Sequence, residues 1–287
     1  MPSARAGVRA AAPPVLRARL HFAAGTGPTP VAQVAEPGAG PDLHSGDMSA
    51  HEVEIHDARP IAETLDLDRQ GFVLARHVSA VTDFYDEAQV RRVYYPEMER
   101  LVAAMAGADK VVVFDHTIRV ADEHKRAARK ARDPVKRVHN DFTERSAPQR
   151  VRDLLPPDEA EARLAGRYAS INVWRPIVGP VETKPLVVCG YPSLDSRDLV
   201  AAERHYPDGR VGGIYMLAFN PRQRWFYFPA MATDEVVLLK CFDSLTDGTA
   251  RWTAHGSFDP PAPPGAAPRE SIEVRTLLFY DPPPEAA

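Results

Sequence analysis

The stretch Val138-His139-Asn140-Asp141-Phe142-Thr143 (VHNDFT) lies midway along a chain of 287 residues, and its reading decides what the strands around it are for. Residues i and i+2 of a strand point to one side, so in extended backbone His139 and Asp141 grip a common ion while Asn140 faces away. The spacing alone proves nothing. With ten histidines in the chain, an Asp at position +2 of some His arises by chance roughly half the time at ordinary Asp usage. Its meaning has to come from the sequence on either side.

Upstream, GFVLARHV (71–78) reads as a short strand, and DEAQVRRVYYPEMERLVAAMAGA (86–108) carries helical periodicity through Val90, Val93, Tyr94, Met98, Leu101, Val102 and Met105. Pro96 divides that helix or begins its second part, and Gly107 closes it. DKVVVFDHTIRV (109–120) is a β-branched strand. Downstream, PPDEAEARLAG (156–166) predicts a helix with Pro and acids at its start and Gly166 at its end. Strands then dominate: RYASINVWRP, KPLVVCGY, VGGIYMLAFN, QRWFYFPA, DEVVLLKCFDS, ARWTAHGSF and ESIEVRTLLFYD, interrupted by a helix over LDSRDLVAAERHY (194–206). The absence of strict strand–helix alternation disfavours a doubly wound parallel sheet. The expected class is mainly β with flanking helices: a helix-buttressed jelly roll, that is, a cupin-like double-stranded β-helix barrel, in which the strands before and after VHNDFT belong together.

The first 47 residues differ in kind, being mostly Ala, Gly and Pro with few large apolar side chains. Such a composition predicts a disordered, functionally silent leader ahead of a single domain over 48–287 with an N-terminal helical buttress. Arg5, Arg9, Arg17 and Arg19 precede any acid, in the manner of a targeting peptide, but Arg17 and Arg19 interrupt the only candidate apolar region. Translation from Met48 would equally account for the leader.

A net charge of −4 argues against a nucleic-acid surface, and no run approaches the roughly 18 apolar residues that span a bilayer. Cys189 and Cys241 sit in apolar contexts and read as buried strand residues, which leaves the cytoplasm as the default location.

The other histidines sort by context. His51 and His56 are five apart and do not make a zinc-protease helix. His77 and His124 sit among basic residues, His205 at a polar helix end or loop, and His116 (VVFDHTIR) near a pocket. His255 differs, lying at a strand end directly before a Pro-rich turn. With His139 and Asp141 it would complete a 2-His-1-carboxylate facial triad, which leaves metal positions open for Fe(II) and oxygen chemistry. Beyond it, RESIEVR places Arg269, Ser271, Glu273 and Arg275 on one face of a strand, Arg269 fourteen residues after His255. A solvated strand face would look the same. Turned inward beside a metal, an Arg instead holds the distal carboxylate of 2-oxoglutarate while Ser271 donates a further hydrogen bond.

VHNDFT, YASINVWRP, CFDS, HGSFDPP and RESIEVRTLLFYD, in that order, resemble the 2-oxoglutarate/Fe(II)-dependent dioxygenase superfamily over about residues 90–281. The resemblance is narrower to the group of the cephamycin-methoxylation protein, the fungal aspirochlorine- and novofumigatonin-type hydroxylase/desaturases and gibberellin desaturase. It implies iron ligands His139, Asp141 and His255, Arg269 or Arg275 as the 2-oxoglutarate anchor, and Asn172 and Trp174 near the cosubstrate. It also implies O2 as second cosubstrate, ascorbate as a support in vitro, and hydroxylation or desaturation of a small-molecule secondary metabolite. The Pro-rich loop DPPAPPGAAP lengthens the His-to-Arg spacing and leaves the choice of arginine open. Strand position suggests Tyr94, Phe114, His116, Arg119, Tyr215 and Trp225 as pocket residues. The rival readings are a cupin-like metal oxygenase that does not use 2-oxoglutarate and a non-catalytic jelly-roll binding module. Neither nucleic acid nor membrane is expected as a partner, and a homodimer is compatible with the composition.

Overall fold

Fifteen strands and a few helices account for most of the chain in a computed structural model that describes residues 15–25, 27–36 and 42–282. In chain order they are β1 (Val15–Ala23), β2 (Val31–Gln33), β3 (Leu43–His44), β4 (Met48–Asp57), β5 (Phe72–Arg76), α1 (Glu87–Gln89), α2 (Tyr95–Ala106), β6 (Lys110–Val120), α3 (Glu123–Ala128), β7 (His139–Asn140), α4 (Ser146–Leu154), α5 (Pro157–Leu164), β8 (Tyr168–Pro176), β9 (Leu186–Cys189), β10 (Leu199–His205), β11 (Val211–Leu217), β12 (Trp225–Tyr227), β13 (Glu235–Asp243), β14 (His255–Ser257) and β15 (Glu270–Phe279). One sheet of ten strands runs β1-β4-β12-β9-β14-β7-β11-β10-β2-β3, and a second of five runs β5-β13-β8-β15-β6. This is the jelly-roll arrangement expected.

The three central strands of the five-stranded sheet, β13, β8 and β15, are buried on both faces and have no solvated side. Ile171, Val173, Ile272, Val274 and Leu278 pack against the helix formed by α1, a π-turn (Val90–Tyr94) and α2, through Val90, Tyr94, Met98 and Val102. Asp86 caps this helix by accepting from Ala88 N and Gln89 N, and Gly107 ends it at φ 63°, a conformation that suits glycine. The break expected around Pro96 is a change of helical winding just before it, not an interruption. Trp174, Val237, Leu239, Leu277 and Phe279 face the other way, toward Leu186 and Val188 of the large sheet and Phe142 just after β7. Period-2 alternation thus assigns Asn172, Ser271, Glu273 and Arg275 to the space between the sheets.

Two expectations need correction. Residues 15–23 are not a disordered leader: β1 pairs with β4 over nine residues, with Leu20 and Phe22 fully buried. Parallel bridges from His21 to Arg137 and from Ala23 to Ala218 tie β1 back to the far side of the large sheet, which therefore curls around Leu20, Phe22, Ile55, Trp225 and Phe258. Arg17 and Arg19 alternate with these apolar residues on a strand, and a chain begun at Met48 would lack it; Arg5 and Arg9 lie outside the described residues. The second correction concerns 194–206, which is a 3-10 turn (Ser196–Asp198) followed by β10, antiparallel to β11 over seven residues and parallel to β2. Sheet pairing on both edges overrides the helical propensity of its alanines. His205 accordingly sits on a strand, beside Glu203.

Candidate metal centre

β7 is only two residues long and lies between β11 and β14, which makes His139 the register partner of His255. The two rings stand 4.6 Å apart, and Asp141 follows where the chain leaves the sheet. One ligating atom from each of His139, Asp141 and His255 falls within 4.8 Å of the others, and all three side chains are buried. Asn140 faces away, donating from Nδ2 to the carbonyls of Phe142 and Cys241 at 2.8 Å, which locks the VHNDFT segment to β13.

Each imidazole is oriented by the backbone two residues before it. His139 Nδ1 lies 2.8 Å from Arg137 O, and His255 Nδ1 lies 2.9 Å from Thr253 O. A carbonyl only accepts, so both Nδ1 atoms carry the proton and both Nε2 atoms are left with a lone pair for the centre. Thr253 is fixed in turn by donating from Oγ1 to Gly71 O at 2.7 Å, at a glycine with φ +86°. Burial, helped by the neighbouring His255, pushes the His139 imidazole down to about 3, so it is neutral at ordinary pH.

Asp141 is held with equal care. Its Oδ2 accepts from Asn172 Nδ2 at 2.7 Å and from Arg275 Nε at 2.9 Å. Its Oδ1 is buried without a hydrogen-bond partner and lies 3.6 Å from His139 Nε2. Burial alone would raise this carboxyl, but the Arg275 guanidinium beside it outweighs that and holds the group well below the usual carboxylate range. A buried, ionised, unpartnered oxygen beside two imidazole lone pairs is what a divalent metal satisfies, and the donor set suits iron.

The polar face of β15 turns inward, as the iron-site reading of RESIEVR requires, and none of it is solvated: Arg269, Ser271, Glu273 and Arg275 are all buried. The two arginines differ. Arg275 is answered by Asp141, by Glu273 Oε2 at 3.5 Å and by Asp115 Oδ2 at 3.3 Å, and these carboxylates raise it well above its ordinary value despite burial. Arg269 has no carboxylate within ion-pair distance among the described residues. Its Nε donates to Ser271 Oγ at 3.0 Å and its Nη1 to Lys184 O at 2.7 Å, while its guanidinium lies 4.9 Å from the centre of the Trp174 ring. Burial, then Arg119, pushes it down to about 9.

Glu273 was visible in the sequence only as part of an alternating face. It accepts from Asn172 Nδ2 at 3.0 Å and stands 3.9 Å from His255 Nε2, so Asn172 bridges the two carboxylates of the centre. Of the suggested pocket residues, Phe114, His116 and Arg119 line a cavity of about 1040 Å³ that reaches Asp141 and Arg275. Tyr94 and Trp225 are core residues on opposite sides of the molecule, and Tyr215 packs edge-on to Trp252. These three are not in that wall.

Residues 20–279 match the family described as an oxidoreductase/YMDC permease-like domain. The hydroxylase/desaturase CTB9 of Cercospora beticola is 33% identical over 249 residues, covering 80% of this chain and 76% of that protein. The Fe(II)/2-oxoglutarate-dependent dioxygenase nvfI of Aspergillus novofumigatus is 31% identical over 245 residues, covering 81% and 84%. The chain belongs to this family of 2-oxoglutarate-dependent dioxygenases. A solved structure of the iron and alpha-ketoglutarate-dependent endoperoxidase NvfI superposes on this dioxygenase with a TM-score of 0.80 at 28% identity, over 93% of this chain and 99% of that one. Among the described residues of this family member no helix is long and apolar enough to cross a membrane.

Proposed function

We propose that this chain is a non-haem Fe(II), 2-oxoglutarate-dependent oxidoreductase that hydroxylates or desaturates a small-molecule secondary metabolite, with His139, Asp141 and His255 as iron ligands and Arg269 as the cosubstrate anchor. One observation carries the reading: Asp141 Oδ1, buried and without a partner, shares a point with two imidazole nitrogens whose protons are engaged elsewhere. The family relationship supports the same chemistry. Iron held by His139, Asp141 and His255 would supply the activation of oxygen, coupled to 2-oxoglutarate decarboxylation, that oxidation of a substrate C–H bond requires.

The protein's own part is positional. Backbone carbonyls of Arg137 and Thr253 fix the imidazole tautomers. Arg275 and Asn172 hold Oδ2 of Asp141 so that Oδ1 alone is offered to the metal. Arg275 is thereby engaged, whereas Arg269 is buried, cationic and without a carboxylate, which favours it as the partner of the distal carboxylate, with Ser271 adding a hydroxyl. Asn172 and Trp174 flank these two groups, one bonded to Asp141 and the other beneath the Arg269 guanidinium.

Purified protein given Fe(II), ascorbate, 2-oxoglutarate and O2 should form succinate, slowly without substrate, and His255→Ala should abolish it. Full turnover by that variant contradicts the ligand assignment. The cytoplasmic location and the homodimer expected from the sequence belong to the same proposal, tested by localising a tagged chain and by sedimentation velocity.

A further inference from the structure

The cavity that opens onto Asp141 and Arg275 has the volume of a small-molecule site, and its charge is lopsided. Nine of its lining residues are Arg or Lys and five are Asp or Glu, in a chain whose net charge is −4. Two of the cations come from elements that touch, since Ser146 at the start of α4 donates from Oγ to Gly213 O of β11 at 2.7 Å. Arg150 comes from α4, and Arg210 from the turn between β10 and β11. Arg150 has only Asp153, at the limiting distance of 4.0 Å, and Arg210 has no carboxylate within ion-pair distance among the described residues. They are close enough that Arg210, after burial, lowers the Arg150 guanidinium from its ordinary value.

Each guanidinium lies on an aromatic ring: Arg150 at 5.3 Å from the centre of Phe114 and Arg210 at 3.6 Å from that of Tyr206. Both rings line the same cavity. Stacking holds the two forks in place while their N–H edges stay free for an acceptor. Two like charges in one wall, of which only Arg150 has a carboxylate near it and that at 4.0 Å, are stabilised by an anion that bridges them.

We propose that the prime substrate is an organic carboxylic acid, its carboxylate held between Arg150 and Arg210 and its body lying in the rest of the cavity. This deepens the dioxygenase reading by naming the substrate class of its site, and rests on that reading for the reaction. The binding site itself stands on the cavity wall alone.

The test is an equilibrium titration of the full chain with 2-naphthoate as probe, against 2-naphthalenemethanol, of like shape but neutral, and 2-naphthyl phosphate. The expected result is binding of the carboxylate tighter than the alcohol by about tenfold or more, as charge-assisted pairing provides. Saturating 2-oxoglutarate should leave that preference in place. Arg150→Gln with Arg210→Gln should erase it while leaving the alcohol's affinity unchanged, which also shows that the variant is folded. Equal binding of acid and alcohol overturns the proposal, as does a preference that survives the double variant. Displacement by 2-oxoglutarate assigns the arginines to the cosubstrate and overturns it too; tighter binding of the phosphate overturns the carboxylate class. Because the readout is binding, a chain that forms no succinate yet shows the preference refutes the dioxygenase reading and leaves the acid site intact.

Discussion

Arg275 sits on β15 and Arg269 immediately before its first residue, six residues apart, and both are buried. Arg275 meets Asp141, Glu273 and Asp115, whereas Arg269 meets a serine, a backbone carbonyl and the face of a tryptophan. Identical residue types, both buried along this one segment, thus do opposite work. One charge is answered within the protein and orients Asp141, the proposed metal ligand. The other is left for something that arrives with its own negative charge. Burial of a cation is costly unless it is paired, so the unpaired arginine is the more informative of the two.

That contrast can be broken by substitution. Arg275→Met leaves Asp141 and Glu273 buried without their cation, and should destabilise the metal-free protein by about 3–5 kcal/mol. Arg269→Met removes an unpaired charge and should cost less than about 1 kcal/mol, or stabilise. Urea denaturation of the two variants reads the difference directly, and equal losses would mean that Arg269 is paired in a way the geometry does not show. Turnover should rank the pair in reverse. In the variants that bind iron, Arg269→Gln should raise the 2-oxoglutarate requirement by roughly 10- to 100-fold, the range of a lost charged hydrogen-bonding partner. Arg275→Gln should change it far less. The smallest effect belongs to Ser271→Ala, which removes a hydroxyl and leaves the Arg269 charge in place. It should raise the same requirement several-fold without touching iron affinity.

How legible was this in the sequence? β15 was, because SIEVR alternates polar and apolar residues ahead of the apolar run LLF, and so was β8, although neither pattern says that both faces are buried. His139, Asp141 and His255 could be found from strand geometry and chain order, and the structure brings them together. Glu273 could not be told from a solvated residue, since its importance lies in bonds to Asn172, which is distant in sequence. β1 is the instructive miss. Leu16, Ala18, Leu20 and Phe22 alternate with Arg17, Arg19 and His21, an adequate strand signal that the Ala/Gly/Pro-rich surroundings obscured. β10 failed for a different reason: spacing within LDSRDLVAAERHY is compatible with a helix, and only its pairing with β11 and β2 decides. Arg150 and Arg210 carry no local signal, because what sets them apart is the lack of a carboxylate across the cavity.

The account stands most directly on one measurement, the anaerobic titration of the purified chain and its His255→Ala variant with Fe(II). It predicts a single tight site per chain in the wild type, lost in the variant while the fold, read by circular dichroism, is retained. Undiminished Fe(II) affinity in the folded His255→Ala variant would place the metal elsewhere and contradict the centre formed by His139, Asp141 and His255.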